Sequence, residues 1–245
     1  MQSRYTMSVH FDAEVLRSLP VWFVATLLSL TLHEAAHALA AHWGGDDTAR
    51  EQATLDPTPH IRREPVGMIV VPLLSFVLNG GGWMIGWASA PYDPVWAARH
   101  RKKAALMAAA GPAGNFVLAA AAAAAIHAGI AWAGWSPSHS PTLGEVVIGA
   151  TGQATALTTF VSVLFSVNVL LGLFNLIPMP PLDGYAVVPL LLNQRTTDKW
   201  FALFNDRGSS MMGMLVAWVL FGRLAFPAFV IALNLLYPGR HYSAV

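Results

Sequence analysis

Five stretches of this chain, residues 20–42, 66–90, 104–134, 158–182 and 211–237, are long and nearly free of charged side chains. A helix rises about 1.5 Å per residue, so each is long enough to cross a hydrocarbon core of about 30 Å. A soluble protein with several buried helices would need long amphipathic segments to cover them, and the connections are too short to supply those. Composition agrees: 55% of the residues are hydrophobic and only 11% are charged, a balance that does not suit a water-soluble globule. The expected fold is an all-α polytopic membrane protein with about four transmembrane helices plus one re-entrant or fifth hydrophobic segment. A short irregular or hairpin loop is expected after the first span. No connection is long enough for an appended folded module, so residues 1–245 read as a single membrane-embedded domain.

The formal net charge of +1 provides no basic surface of the kind that nucleic acid requires, and nucleic acid is not an expected partner. The chain has no cysteine. It therefore has no disulfide, no thiolate nucleophile and no Cys-ligated zinc, and any metal site must use histidine and carboxylate. Asp12, Glu14 and Arg17 precede the first apolar run, which no small-residue cleavage site follows, so the first span is expected to be retained. The alanine run at 119–125 reads as close helix packing through small side chains.

The first span carries His33-Glu34-Ala35-Ala36-His37. Residues four apart lie one above the other on a helix, so His33 and His37 can present their imidazoles to one ion, with Glu34 beside them as general base toward a metal-activated water. A carboxylate at mid-bilayer costs on the order of 3 kcal/mol, so such groups face the protein interior and mark function. A cluster gluing helices together by hydrogen bonds is the bland alternative. His42 points off that face and reads as interfacial.

Two histidines leave a catalytic zinc one protein ligand short. The strongest candidate for the third is Asp183, in Asn175-Leu176-Ile177-Pro178-Met179-Pro180-Pro181-Leu182-Asp183-Gly184 at the end of the fourth stretch. Three prolines in four positions break the helix there and can turn an acidic side chain inward, and Gly184 permits a backbone arrangement that a Cβ would resist. Alone, Pro-Leu-Asp-Gly would read as a turn at the membrane surface. Paired with the histidine motif, it reads as a ligand.

On these residues the sequence resembles the site-2 protease family of intramembrane zinc metalloproteases. That family pairs HExxH on a membrane helix with a late Leu-Asp-Gly segment, and Ala110-Gly111-Pro112-Ala113-Gly114-Asn115 matches its AGPxxN element. The resemblance runs from about residue 30 to 190 and implies one Zn2+ per chain on His33, His37 and Asp183, catalysis by Glu34, and peptide-bond hydrolysis in or near transmembrane segments of membrane proteins. It also implies a bacterial cell membrane location. The layout is nearest to small bacterial members without an added peptide-binding or nucleotide-sensing domain. Thr54-Leu55-Asp56-Pro57-Thr58-Pro59-His60 and Ala88-Ser89-Ala90-Pro91 correspond to two further family segments, with Asp56 where Asn is usual and Ser89 where Lys is usual. Asn115, Asn175 and His60 are candidates for substrate contact or structural support.

His37 and Asp183 can share a metal only if the 66–90 segment, interrupted by Pro72 and Gly80-Gly81-Gly82, enters and leaves on one side. The loops at 43–65, 91–103 and 183–210 then share that side with Arg50, Arg62, Arg63, Arg99, Arg101, Lys102, Lys103, Arg195, Lys199 and Arg207. Arg4, Arg17 and Arg240 lie on the other. That bias places the zinc-bearing ends toward the cytoplasm. Arg223, inside the last stretch, has no assigned role. A transporter or ion-handling protein would spread intramembrane charges over several spans, and a non-enzymatic membrane chaperone would have less reason to keep Glu34. A protease of the prenyl-protein-processing type would need a downstream glutamate ligand, but Glu51, Glu64 and Glu145 all fall in connecting loops. The sequence leaves the oligomeric state and the substrate's identity open.

Overall fold

The computed structural model of the protein describes residues 13–204 and 207–243. Readings that fell on Arg4 and Asp12, and on the side chains of Glu14 and Arg207, lie outside what is described. Among the described residues, four helices are long and apolar enough to cross a membrane: α1 (Ala13–Gly44), α5 (Arg101–Trp132), α6 (Ala156–Asn175) and α9 (Arg207–Leu236). Between them lie the short helices α2 (Thr58–Arg63), α3 (Val71–Leu78), α4 (Pro94–Arg99), α7 (Asp183–Val187) and α8 (Gln194–Leu203).

Helices α1, α5 and α6 pack against one another as a central trio, and α9 leans on α6. The alanine-rich sequence of α5 permits this. Its buried positions include Ala105, Ala108, Gly111, Asn115, Ala119, Ala122, Ile126 and Gly129, a stripe at three- and four-residue spacing with almost no side-chain bulk. Backbones can approach closely along such a stripe, which is how apolar helices gain packing energy when lipid is as apolar as their partners. The start of α6 is fixed by reciprocal hydrogen bonds: the Thr158 amide donates to Thr155 Oγ1 at 3.2 Å and the Thr155 amide donates to Thr158 Oγ1 at 2.8 Å. They satisfy two of the amides that a helix N-terminus leaves unpaired.

The 66–90 segment goes in and comes back. A wide π-helical turn over Val66–Val70 leads into α3, Asn79–Gly82 reverse the chain, and residues 83–92 return without helix. The return is pinned where the Ile85 amide donates to Ser75 Oγ at 3.1 Å and where the Trp87 amide donates to the Gly67 carbonyl at 3.1 Å. The tip at Gly81 lies against Val15, near the start of α1, and the base at Gly86 lies against Leu30. The hairpin thus runs alongside α1 without a net crossing. The ends agree, because the Lys103 ammonium at the start of α5 and the Trp96 indole of α4 both donate to the Gly44 carbonyl at the end of α1, at 2.9 and 3.2 Å. Arg101 pairs with Asp198, which brings α8 to the same end.

The opposite end holds an element that the all-α expectation lacked: a two-stranded antiparallel hairpin of β1 (Ser136–Thr142) and β2 (Glu145–Ile148). Strand β1 reads Ser-Pro-Ser-His-Ser-Pro-Thr, with two prolines and no hydrophobic alternation, so its sequence looks like a loop. It is paired to β2, which tertiary contacts hold in place. The Val146 and Val147 amides donate to Ser162 Oγ of α6 at 3.0 and 3.3 Å, and the Tyr237 hydroxyl donates to the Val146 carbonyl at 3.0 Å. The helix expected over 158–182 ends at Asn175, and the proline-rich residues after it form a turn. Arg223 is exposed on α9 with no ion pair among the described residues.

Asp46, buried just after α1, ties the loops together. Its carboxylate accepts from the Thr48 amide at 3.0 Å, the Thr48 hydroxyl at 2.5 Å and the Asp93 amide at 2.8 Å. Burial pushes this carboxyl up, and the three donors outweigh it, so the group is held below its ordinary value. A lowered folded value means the stabilisation is complete above the unfolded value, about 4, and is lost as pH falls through the folded one. Asp46→Ala is therefore expected to lower stability by about 1–3 kcal/mol at neutral pH, and thermal melts in detergent should show the gap from wild type shrinking below about pH 4.

Because the chain has no cysteine, topology can be read with single cysteines. Arg50→Cys, Arg99→Cys and Gln194→Cys are expected to react with a membrane-impermeant maleimide from one side, and Thr151→Cys from the other. Labelling of Arg99→Cys only from the side opposite Arg50→Cys would mean that the hairpin crosses.

Candidate metal centre and its cavity

His33 and His37 sit one turn apart on α1, about 16 and 10 Å from its C-terminal end at 1.5 Å per residue. Both are buried, as is Glu34 between them. Asp183 begins α7, where the proline-rich turn brings the chain back under the trio. Gly184 explains how the turn closes so tightly: a Cβ there would lie 2.3 Å from the Leu176 carbonyl oxygen and 2.5 Å from that of Ile177. The requirement is space against the end of α6, not an unusual backbone angle.

Three atoms converge. His33 Nε2 lies 3.0 Å from His37 Nε2, and Asp183 Oδ2 lies 3.2 and 3.3 Å from the two nitrogens. Ligand bonds of about 2.0–2.1 Å in a tetrahedral zinc site place ligand atoms about 3.3–3.4 Å apart, so the triangle has the size of one face of such a site. These residues form a group that could hold a metal ion.

The hydrogen bonds behind the histidines say what the triangle needs. His33 Nδ1 lies 2.6 Å from Asn115 Oδ1, and His37 Nδ1 lies 2.8 Å from the Met107 carbonyl. Both partners are acceptors, so each Nδ1 carries the proton and each Nε2 presents a lone pair. Asp183 Oδ2 is buried and accepts no hydrogen bond. Three electron-rich atoms thus face one point. A proton on one imidazole lies along only one edge of the triangle, whereas a divalent ion meets all three corners. The donor set, two neutral imidazoles and a carboxylate, is one that zinc takes.

Helix α5 supplies the support from one face. Met107, Gly111 and Asn115 are four residues apart and therefore stacked. The carbonyl of the first holds His37 and the amide of the last holds His33. Between them a Cβ on Gly111 would lie 2.2 Å from His37 Nε2 and 2.7 Å from His33 Cε1, so the imidazoles occupy the space that any other residue would fill. The Ala-Gly-Pro-Ala-Gly-Asn element is the seat of the histidine pair.

A cavity of about 810 Å³ opens onto the triangle. Glu34 lines it with His33, His37 and Asp183, and the returning stretch Gly86–Ala90 forms one wall. Asn175 also lines it, with its amide nitrogen donating to the Leu171 carbonyl of its own helix at 3.1 Å. His60 is buried in α2 near the Thr54 carbonyl, at 3.4 Å, and is absent from the cavity wall. His42 pairs with Asp47 at the end of α1. Ser89, where lysine was expected, donates to Glu64 Oε1 at 2.7 Å and accepts from Arg63 Nε at 3.3 Å, so the returning stretch is fastened to α2 by neighbouring side chains.

The sequence reading passed over Asn168. It is fully buried in α6 and contacts Asn115, with its Oδ1 accepting from Asn115 Nδ2 at 2.7 Å. A lone amide in an apolar stretch was the available signal.

Gly111→Ala is expected to cost about 1–3 kcal/mol through overpacking and to leave the purified protein short of zinc, whereas Ala109→Gly, off that face, keeps its metal. Zinc content by atomic absorption on folded protein checks this. Full metal content in Gly111→Ala would mean that α5 does not seat the imidazoles.

Comparison with known proteins agrees with this architecture. The family model described as Peptidase family M50 matches residues 21–220. A Bacillus subtilis (strain 168) protein named "Putative zinc metalloprotease YwhC" is 32% identical over 176 residues, 69% of this chain and 68% of that one. Proteins named "Putative zinc metalloprotease Rip2" are 29% identical over 170 residues in Mycolicibacterium smegmatis and 32% over 172 residues in Mycobacterium tuberculosis H37Rv. Each of those matches covers 69% of this chain and 56% of the relative, so the chain spans little more than half the length of those mycobacterial proteins. No solved structure matches. With residues 21–220 matched and the histidine, glutamate and aspartate positions within them, the chain belongs to peptidase family M50, the site-2 protease family of membrane zinc metalloproteases.

Proposed function

We propose that this protein is an intramembrane endopeptidase that hydrolyses peptide bonds in or near transmembrane segments of other membrane proteins, working as a single membrane-embedded unit. His33, His37 and Asp183 hold one zinc ion, and Glu34 is the general base. The observation that carries the reading is the convergence of two imidazole lone pairs and a carboxylate oxygen within 3.0–3.3 Å of one another, beside a buried glutamate, in a cavity recessed along an apolar helix.

When bound, zinc supplies Lewis acidity and a nucleophilic water near neutral pH. Glu34 accepts a proton from the attacking water and delivers it to the departing amine nitrogen, so one carboxylate serves both halves of the hydrolysis. The cavity walls exclude lipid from the reacting bond while admitting water. A substrate helix has its backbone groups internally paired and must unwind locally before a peptide bond is exposed. The non-helical stretch Gly86–Ala90 in the cavity wall supports this requirement, since an unwound segment can lie beside it in extended form. Substrates with glycine, proline or polar residues near the cleaved bond are favoured for the same reason.

The end of α1, the start of α5 and helix α8 share one side with most of the basic loop residues. That distribution supports a cytoplasmic location for the site in a bacterial cell membrane.

Glu34→Gln is expected to keep zinc and to lower cleavage of a model transmembrane substrate in detergent about 10²–10⁴-fold. Asp183→Ala is expected to lose zinc and activity together. Unchanged turnover in Glu34→Gln would reject the assigned base.

A further inference from the structure

The polar groups behind His33 form a chain that runs through three helices, and its direction is set at the far end. The Leu164 carbonyl of α6 can only accept, and it takes one proton of Asn168 Nδ2 at 2.8 Å. The other goes to Ser29 Oγ of α1 at 2.8 Å, whose own proton goes to the Ala25 carbonyl at 2.7 Å. With its nitrogen committed to both, Asn168 can face Asn115 only with its oxygen. That oxygen takes a proton from Asn115 Nδ2 at 2.7 Å, which turns Asn115 Oδ1 toward His33 Nδ1 at 2.6 Å. The Asn115 nitrogen has a second, longer contact to the Ser29 carbonyl at 3.4 Å, too long to hold the amide by itself. Asn115, Asn168 and Ser29 are each fully buried.

From this chain of contacts we infer that Asn168 is a positioning residue for the metal centre: it fixes the orientation of the Asn115 amide and thereby keeps His33 in the tautomer whose Nε2 lone pair faces the ion. If Asn115 rotated by half a turn, its nitrogen would donate to His33 Nδ1, the ring proton would move to Nε2, and the lone pair needed at the triangle would be lost. Asn168 touches neither ion nor substrate. It acts through Asn115, as outer partners of metal-bound histidines do when they fix tautomer and ring orientation. The inference rests on the reading that His33 is a metal ligand.

The test compares wild type, Asn168→Leu, Asn168→Asp and His33→Ala as full-length protein in detergent. Zinc affinity is measured by chelator competition, and the His33 tautomer by 15N NMR on zinc-free protein. Leucine fills the site but accepts nothing, so affinity should fall about 10–100-fold and the His33 signal should shift toward the Nε2-protonated form. Aspartate, protonated in this dry site, keeps an acceptor for Asn115 and a donor for the chain, and should restore the wild-type tautomer with affinity near wild type. If the leucine variant does not fold, Asn168→Ala supplies the same two readouts. Loss of thermal stability in the leucine or alanine variant, with tautomer and zinc affinity per folded molecule unchanged, would reduce Asn168 to helix glue and overturn the inference. Zinc binding undiminished in His33→Ala would instead overturn the site itself. Zinc lost in His33→Ala but kept in both Asn168→Leu and Asn168→Ala would sink the inference alone.

Discussion

Everything in this molecule depends on how closely α5 approaches α1. Two imidazoles need room and two acceptors at their backs, and one face of α5 supplies both. The missing side chain of Gly111 is the room, and a backbone carbonyl and an amide oxygen one turn to either side are the acceptors. The same face of small residues that lets the helices pack therefore also fixes the tautomers of the two histidines. Packing and chemistry are not separable here, because the contact that lends stability is also the contact that aims the lone pairs.

The hairpin at 66–90 resolves the topological demand made by the proposed ligand set. A metal held by the first span and by the residues after the third long helix would require an even number of crossings between them. A chain that enters at Gly67 and is back beside it at Trp87 achieves that. The cost of placing non-helical backbone at this depth is met by internal bonds such as those through Ser75 and by facing the rest toward a cavity instead of lipid. This irregular stretch also becomes a wall of the cavity beside Glu34.

Much of this was legible from residue types and spacing. Hydrophobic length located the four long helices, and the histidine spacing brought His33 and His37 onto one face because a helix makes positions four apart neighbours. The two glycines at the centre were visible as motif letters, but their reason was not: Gly111 makes room for imidazoles of another helix and Gly184 for carbonyls at the end of α6, and contacts that exist only once the chain is folded are not written in local sequence. The Met107 carbonyl was invisible for a related reason, since a backbone group has no letter. Asn168 stood in the sequence as plainly as Asn175. A buried amide demands partners without naming them, so nothing distinguished the one that bonds across helices from the one that bonds to its own turn. The prolines of β1 hid a strand because its pairing is held by Ser162 and Tyr237 from elsewhere.

The choice of neutral partners behind the histidines follows from where the site lies. Metal-bound histidines in water-soluble proteins commonly donate to a carboxylate, which raises their basicity. In the proposed site one divalent ion, the Asp183 carboxylate and the Glu34 carboxylate already sum to zero formal charge. A further carboxylate behind His33 or His37 would leave a net negative charge in surroundings of low dielectric, where an uncompensated ion costs several kcal/mol. An amide and a main-chain carbonyl fix the same tautomers without adding charge. Neutral partners, however, lack a fixed polarity: an amide accepts from one face and donates from the other, and can turn over. A site that spends no charge on orientation must anchor its amides to groups that cannot reverse. The main-chain carbonyls of Leu164 and Ala25, which end the chain of hydrogen bonds in α6 and α1, are groups of that kind.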